Sequence, residues 1–217
     1  MMEETRISPE IVVWDFNGTI LDDVDAGIDA VNELLCERGL APIPSREAYQ
    51  ESFGFPIRDY YARIGFDFSV HPYEVLAPLW VEKYLRFVKQ AQPFFDVRAT
   101  LSELSRRGVR QIILSATERE MLEGQLRDLG IFEVFEEVLG LDNIHAASKT
   151  SLAIEWRRQH PAERVLLIGD TDHDVETARA MGIECVLVAR GHQSRARLER
   201  LGVPVVANLA EVLERYF

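Results

Sequence analysis

Four polar groups that could handle a phosphoryl group lie at wide intervals along this chain. Asp15 ends an apolar run, Ser115 ends a second one, and Asp170 follows a third one in Gly-Asp-Thr-Asp-His-Asp. Lys149, one of only three lysines among 24 basic residues, opens an amphipathic stretch. A carboxylate can attack phosphorus, carboxylates bind Mg²⁺, and a hydroxyl and an ammonium can bind phosphoryl oxygens. These residue types therefore indicate metal-assisted phosphoryl transfer.

The groups can act together only if a fold brings the ends of their strands to one place. Apolar runs rich in β-branched residues predict strands of a parallel sheet at 11–14, 109–114, 165–168 and 185–188, with a weaker one at 138–141. Amphipathic helical patterns separate them, at 101–107, 121–129, 152–158 and 175–181. This alternation predicts an α/β fold with an open parallel sheet, whose ligands bind beyond the carboxyl ends of the strands.

The alternation is interrupted after the first strand. Residues 22–92 carry helical patterns and no convincing strand, with predicted helices at Val24–Arg38, Arg46–Phe53, Ile57–Ile64 and Pro72–Gln90. The sequence therefore predicts a core made of residues 1–21 and 93–217 and an all-helical insert made of residues 22–92.

Each group alone has an ordinary structural interpretation. A single Asp at the end of a strand is usually a turn or cap residue, Ser115 could cap a helix beginning near Thr117, and Lys149 could be a surface group. Asp172 and Asp174 could be acidic residues favoured in the first turn of a helix. Their joint occurrence at successive strand ends favours the functional interpretation.

Composition narrows the functional classes. The formal net charge of −12 disfavours binding to nucleic acid. The sequence contains no run of 18 apolar residues, so we expect no membrane span. The N-terminal residues 1–10 are polar and lack the apolar stretch of a signal peptide. Two distant cysteines, Cys36 and Cys185, are typical of a reducing compartment. We therefore expect a cytoplasmic protein, as a monomer or a homodimer.

The motif set resembles the haloacid dehalogenase superfamily, whose first motif is DxDGT. Here that motif is Asp15-Phe16-Asn17-Gly18-Thr19, and the later motifs are matched by Ser115, Lys149 and Gly169-Asp170 with Asp174. The helical insert resembles the C1 cap of phosphoglycolate phosphatase-like members. The resemblance covers essentially the whole chain and implies a Rossmann-like core, a Mg²⁺ cofactor and a small phosphorylated metabolite as substrate.

The resemblance also implies individual roles. Asp15 is the nucleophile and a metal ligand, and the other implied metal ligands are the backbone carbonyl of Asn17, Asp170 and Asp174. The implied substrate-binding residues are Gly18, Thr19, Ser115, Ala116 and Lys149. In the insert, Arg58 could bind a phosphate or a carboxylate bidentately, although it could equally be a surface residue. The arginines at 190–200 are interpreted as a solvated helix face, and contact with a partner is the alternative because they are so basic in an acidic chain.

Asn17 departs from the pattern, because phosphatases of this family usually carry a second Asp there. An amide cannot exchange a proton at working pH, and general acid–base help is worth roughly 10²- to 10⁴-fold. Three interpretations stay open. In the first, turnover is slow or limited to good leaving groups such as acyl phosphates. In the second, another residue (Asp22, Asp23 or His173) moves the proton. In the third, the chain only binds a phosphorylated ligand or regulates a partner.

Overall fold

Six parallel strands form one sheet in the order β3-β2-β1-β4-β5-β6. The computed structural model describes residues 8–142, 148–161 and 163–217, so most of the polar N-terminal segment lies outside the described residues. The strands are β1 (Ile11–Trp14), β2 (Arg110–Glu118), β3 (Glu137–Leu141), β4 (Val165–Gly169), β5 (Glu184–Val188) and β6 (Val205–Val206). The predicted α/β class with a parallel-sheet core is confirmed.

β1 lies at the centre of the sheet and has no accessible residue. Trp14 pairs with Ile113 of β2 on one side and with Ile168 of β4 on the other. Alternate residues of β1 pack into different clusters: Val12 and Trp14 on one face, Ile11 and Val13 on the opposite face. Burial on both faces explains why this strand is an uninterrupted apolar run.

Two details of the sheet differ from the prediction. β2 continues to Glu118, and the Glu118 carboxylate caps the next helix by accepting hydrogen bonds from the amides of Glu120 and Met121. The alternative in which Ser115 caps that helix is therefore wrong. β6 was not predicted, because two residues are too few to show a periodic pattern.

Helices cover both faces of the sheet. Those that follow the insert are α5 (Val97–Arg106), α6 (Arg119–Asp128), α7 (Lys149–Gln159), α8 (Asp172–Met181), α9 (Arg195–Leu198) and α10 (Leu209–Tyr216). Leu104 and Leu126 pack with Trp14, whereas Trp156 and Ala178 pack with Val13 on the other face. No helix in the described part of the chain has both the length and the apolar character needed to cross a membrane.

Residues 22–92, all of which the structure describes, contain helices and no strand. The helices are α1 (Val24–Cys36), α2 (Arg46–Ser52), α3 (Ile57–Arg63) and α4 (Tyr73–Phe87), followed by a 3₁₀ turn at Val88–Gln90. They build their own apolar cluster around residues such as Leu34 and Leu76. We refer to residues 22–92 as the cap; the boundaries at 22 and 92 stay a prediction.

The cap is joined to the core by two adjacent chain segments. The Asp22 amide donates to the Gln92 carbonyl over 3.0 Å, and the Phe94 amide donates to the Ile20 carbonyl over 3.0 Å. Because the two segments bond to each other, the cap enters and leaves beside the carboxyl end of β1. That connection places the cap over the strand end that carries Asp15.

Arg197 adds a second connection between core and cap. Its guanidinium donates to the carbonyls of Gln50 (3.0 Å) and Phe53 (2.5 Å) and pairs with Asp172 at 3.2 Å. Arg190 forms an ion pair with Asp96 at 2.6 Å, and both side chains are mostly buried. The interpretation of 190–200 as a solvated face is therefore wrong for these two arginines.

Candidate active site

Three carboxylates meet at the carboxyl edge of the sheet. Asp15 follows β1 directly, Asp170 follows the neighbouring strand β4, and Asp174 lies in the first turn of α8. Each offers an oxygen atom within 4.8 Å of those of the other two. The adjacency of β1 and β4 thus brings together groups that are more than 150 residues apart in the sequence.

Lys149 lies between two of these carboxylates. Its ammonium donates to Oδ1 of Asp174 over 2.6 Å and also to Oδ1 of Asp15, and only 4% of the side chain is exposed. Burial by itself would lower the pKa of Lys149, but the charges of Asp15 and Asp174 outweigh it and raise the pKa. Lys149 is therefore charged and fixed in position.

Asp174 organises the loop after β4. Its Oδ2 accepts from the amides of Asp170 (3.1 Å) and Thr171 (3.0 Å) and from the Thr171 hydroxyl (2.8 Å), while Oδ1 binds Lys149. Burial would raise the pKa of Asp174, but the charge and hydrogen bond of Lys149 and the bonds from Thr171 hold it below its ordinary value. Its two oxygens thus orient Lys149 and Asp170.

Asp170 is enclosed by the backbone of two glycines. Its Oδ1 accepts from the Thr19 hydroxyl over 3.1 Å, and its Oδ2 accepts from the His192 amide over 2.6 Å. A Cβ atom at Gly18 or at Gly191 would overlap with Oδ2 of Asp170. Gly18 also has a φ of 74°, in the left-handed region that favours glycine. Because neither glycine has a Cβ atom, the Asp170 carboxylate can lie against the backbone at both positions.

The Asn17 side chain is held at both of its polar atoms. Nδ2 donates to Oδ2 of Asp23 over 2.9 Å and to the Tyr84 hydroxyl over 2.8 Å, and Oδ1 accepts from the Thr117 hydroxyl over 3.0 Å. A carboxylate at this position would face the Asp23 carboxylate at hydrogen-bond distance. The amide therefore fits beside a buried, charged Asp23.

His192 is the second buried cation of the site. Its Nε2 lies 3.3 Å from Oδ1 of Asp23, and its Nδ1 lies 2.9 Å from the Tyr49 hydroxyl. Burial would lower the pKa of His192, but Asp23 outweighs it and raises the pKa to about 9. The pKa of Asp23 is lowered, since His192 and three hydrogen-bond donors outweigh its burial. The pair is charged at neutral pH.

The buried charges do not cancel. Four buried carboxylates (Asp15, Asp23, Asp170 and Asp174) face two buried cations, Lys149 and His192. Burial raises the pKa of Asp15 well above its ordinary value and that of Asp170 to about 6. Unpaired buried carboxylates are costly, and hard divalent cations prefer carboxylate and carbonyl oxygens. The excess charge and the oxygen donors therefore fit one divalent cation, for which Asp15 and Asp170 offer carboxylate oxygens; the predicted ligand roles of Asp174 and of the Asn17 carbonyl stay predictions.

A cavity of about 630 Å³ opens from this edge of the sheet toward the cap. The predicted site residues that line it are Asp15, Asn17, Arg58, Ser115, Ala116, Lys149 and Asp170. Gly18 and Thr19 instead hydrogen-bond to Asp23 and Asp170, so their contact with a substrate stays a prediction.

Ser115 and Arg58 both line the cavity, and each side chain already interacts with another residue of the protein. The Ser115 hydroxyl donates to the Thr117 hydroxyl over 3.0 Å and accepts from the Thr117 amide over 3.1 Å. Arg58 pairs with Glu74 at 3.6 Å, and its guanidinium lies 4.8 Å from the centre of the Phe68 ring. The predicted contacts of Ser115 and Arg58 with a phosphoryl or carboxylate group stay predictions.

Three polar residues of the site were missed by sequence reasoning: Tyr84, Thr117 and His192. His192 follows the end of β5 by four residues, so the argument from strand ends would have found it if applied to that strand. Tyr84 belongs to an apolar stripe with helical spacing, which predicts core packing. Nothing in that stripe shows that its hydroxyl donates to Asp23 over 2.6 Å.

Known proteins resemble this chain along nearly its whole length. Tyrosine-protein kinase PtkA of Mycobacterium tuberculosis is 25% identical over 210 residues, which cover 95% of this chain and 71% of that protein. Phosphoglycolate phosphatase of Pseudomonas savastanoi pv. phaseolicola is 25% identical over 199 residues, which cover 85% of this chain and 71% of that protein.

Solved structures share the fold. A haloacid dehalogenase-like hydrolase of Streptococcus pneumoniae aligns with a TM-score of 0.78 and 22% identity, over 98% of this chain and all of that one. The structure of PtkA aligns with a TM-score of 0.80 and 24% identity, over 96% of this chain and 98% of that one. The model of the haloacid dehalogenase-like hydrolases matches residues 12–188, from the central strand to the end of β5. The chain therefore belongs to the haloacid dehalogenase-like hydrolase family.

Proposed function

We propose that this protein is a Mg²⁺-dependent phosphatase that hydrolyses a small phosphomonoester through an aspartyl-phosphate on Asp15. The observation that carries the proposal is the position of Asp15. Its carboxylate lies at the floor of the cavity, is bound by the buried Lys149 ammonium, and has Asp170 beside it. Phosphoglycolate phosphatases among the relatives support the same reaction class.

Each residue of the site has a separate role in the proposed reaction. Asp15 attacks phosphorus, so a bond forms between its carboxylate oxygen and phosphorus while the bond to the leaving oxygen breaks. Lys149 keeps Asp15 oriented and offsets the negative charge of the phosphoryl group. Mg²⁺, when bound, neutralises charge on the phosphoryl oxygens. Water then cleaves the aspartyl-phosphate, which releases inorganic phosphate and restores Asp15.

The leaving oxygen receives no proton from residue 17. Of the other candidates, Asp22 pairs with Arg46 at 3.7 Å and is about half exposed. Asp23 accepts hydrogen bonds from Asn17 and Tyr84, and burial lowers the pKa of His173, which leaves it neutral. The proposal is therefore that the leaving group departs as an anion, which favours substrates with weakly basic leaving groups.

Hydrolysis of 4-nitrophenyl phosphate tests this function. We expect turnover that requires Mg²⁺, stops when the metal is chelated, and falls at least about 10³-fold in Asp15→Asn, because the nucleophile is removed. Asp128→Asn changes an exposed carboxylate at the end of α6 and should keep full activity. If no phosphate ester is hydrolysed while phosphorylated ligands still bind, the chain is a binding or regulatory protein.

The enclosure of Asp170 predicts how metal binding can be weakened. Gly191→Ala places a Cβ atom against Oδ2 of Asp170, so we expect the Mg²⁺-dependent rise in Tm to shrink and Mg²⁺ affinity to fall at least about tenfold. Gly124→Ala is the matched control, because a Cβ there meets no described atom within 4 Å. An unchanged response to Mg²⁺ in Gly191→Ala would refute the role of Asp170 as a ligand.

Asn17→Asp tests the missing proton donor. We expect turnover of an alkyl phosphate to rise by roughly 10²-fold, because a carboxyl group can protonate a basic leaving oxygen. Turnover of 4-nitrophenyl phosphate should rise much less, since nitrophenolate leaves without a proton. An unchanged or lower rate with the alkyl ester would show that another group already supplies the proton.

A further inference from the structure

The cavity is lined mainly by rings from the cap. Eight aromatic side chains of the cap contribute to its wall: Tyr49, Phe53, Phe55, Tyr60, Tyr61, Tyr73, Trp80 and Tyr84. On the core side, Met121 and Leu141 add apolar surface. Pockets lined in this way bind apolar groups and use a few polar atoms for orientation. A two-carbon acid attached to the phosphate would leave most of this wall in contact with water.

The cationic side chains among the described residues that line the cavity already pair with carboxylates. Lys149 binds Asp15 and Asp174, His192 pairs with Asp23, and Arg58 pairs with Glu74. Carboxylates dominate the rest of the charged surface, with Glu118 and Glu74 in addition to those of the metal site. A second negative charge on the substrate would face these carboxylates, and Arg58, the one cation of the described lining outside the phosphoryl site, is already shared with the exposed Glu74.

A ring contact connects the aromatic wall to the phosphoryl site. Phe55 of the cap lies against His173 of α8, with 4.6 Å between the ring centres. Phe55 also packs edge-on against Phe53 at 5.7 Å, and Trp80 and Tyr84, which also line the cavity, stack at 4.9 Å. A flat group attached to a phosphate on Asp15 would thus meet aromatic surfaces, where offset or edge contacts are favourable.

Tyr60 supplies a polar atom without a partner. Its ring lines the cavity, its side chain is 2% exposed, and its hydroxyl makes no hydrogen bond to a described residue. Buried hydroxyl groups are normally satisfied, but this oxygen has almost no accessible surface, so a ligand in the cavity would not reach it. The ring of Tyr60 is therefore the part of this residue that a ligand would contact.

Building on the proposed function, we infer that the substrate is a phosphate ester of an uncharged aromatic alcohol of the phenol class. The cavity wall fits the ring, and the chemistry of residue 17 fits the leaving oxygen, because a phenol has a pKa near 10 and needs little protonation. The bond between phosphorus and the aryl oxygen breaks, its electron pair stays on that oxygen, and the phenolate takes a proton from water. A second water then releases phosphate from Asp15.

Two pairs of compounds test the inference. Phenyl phosphate is compared with 2-phosphoglycolate for turnover, and their non-hydrolysable analogues, benzylphosphonate and 3-phosphonopropionate, are compared for binding by calorimetry with Mg²⁺ present. Burial of a phenyl ring predicts a roughly 10- to 100-fold preference for the aromatic member of each pair. Equal binding, or tighter binding of 3-phosphonopropionate, would overturn the inference.

The binding pair also separates this inference from the proposed function. Preferential binding of benzylphosphonate with no hydrolysis of any phosphate ester would refute the phosphatase and support the aromatic ligand. Hydrolysis of 2-phosphoglycolate at a higher kcat/KM than phenyl phosphate would support the phosphatase and refute the aromatic substrate.

Two variants of helix α4 test whether the ligand binds in the cavity. Ala77→Phe fills the space beside the cap rings, so the preference for benzylphosphonate should fall about tenfold or more. Val75→Phe adds the same ring to the same helix at an exposed position and should leave the preference unchanged. A preference that survives Ala77→Phe would show that the ring binds elsewhere and would overturn the assignment.

Discussion

The contact of the Lys149 ammonium with Asp15 and Asp174 is the interaction on which the rest of the site depends. It joins the end of β1, the start of α7 and the start of α8, and the three side chains that make it are almost fully buried. One ammonium cannot neutralise the carboxylates around it, even with His192 nearby. The surplus of buried carboxylates raises the pKa of Asp15 and of Asp170, and the divalent metal that we propose would offset the same charge with the oxygen donors that are present.

Asn17 places an amide side chain in the site and keeps the backbone carbonyl that we propose as a metal ligand. Its amide donates to Asp23 and to Tyr84, so the core loop and the cap helix α4 share one hydrogen-bond network. Burial would raise the pKa of Asp23, but His192 and the hydrogen bonds from Tyr84 and Asn17 outweigh it and lower the pKa. Under the proposed mechanism residue 17 gives no proton to the leaving group, and the aromatic wall of the cavity suits a leaving group that needs none. Two independent features, one electrostatic and one steric, thus favour the same class of substrate.

Much of this arrangement follows from sequence. Asp15 and Asp170 follow apolar strands and Ser115 follows the apolar part of β2, and parallel strands bring such residues to one edge, which is why their meeting was predictable. The all-helical character of residues 22–92 followed from periodicity. The partners of Asn17 and the connection made by Arg197 were not predictable, because they join residues through tertiary packing. Tyr84 has the spacing of a core residue, and only coordinates show that its hydroxyl reaches Asp23. The interior of the cap cavity likewise depends on how four helices pack.

Anomalous diffraction from crystals soaked in Mn²⁺, which binds the same oxygen ligands as Mg²⁺, tests the central claim most directly. The account predicts one strong peak at the edge of the sheet, roughly 2.1 Å from a carboxylate oxygen of Asp15 and from one of Asp170, with the Asn17 carbonyl as a third ligand. An absent peak, or a peak that contacts neither Asp15 nor Asp170, would contradict the claim that the buried negative charge of this site serves to bind a catalytic metal.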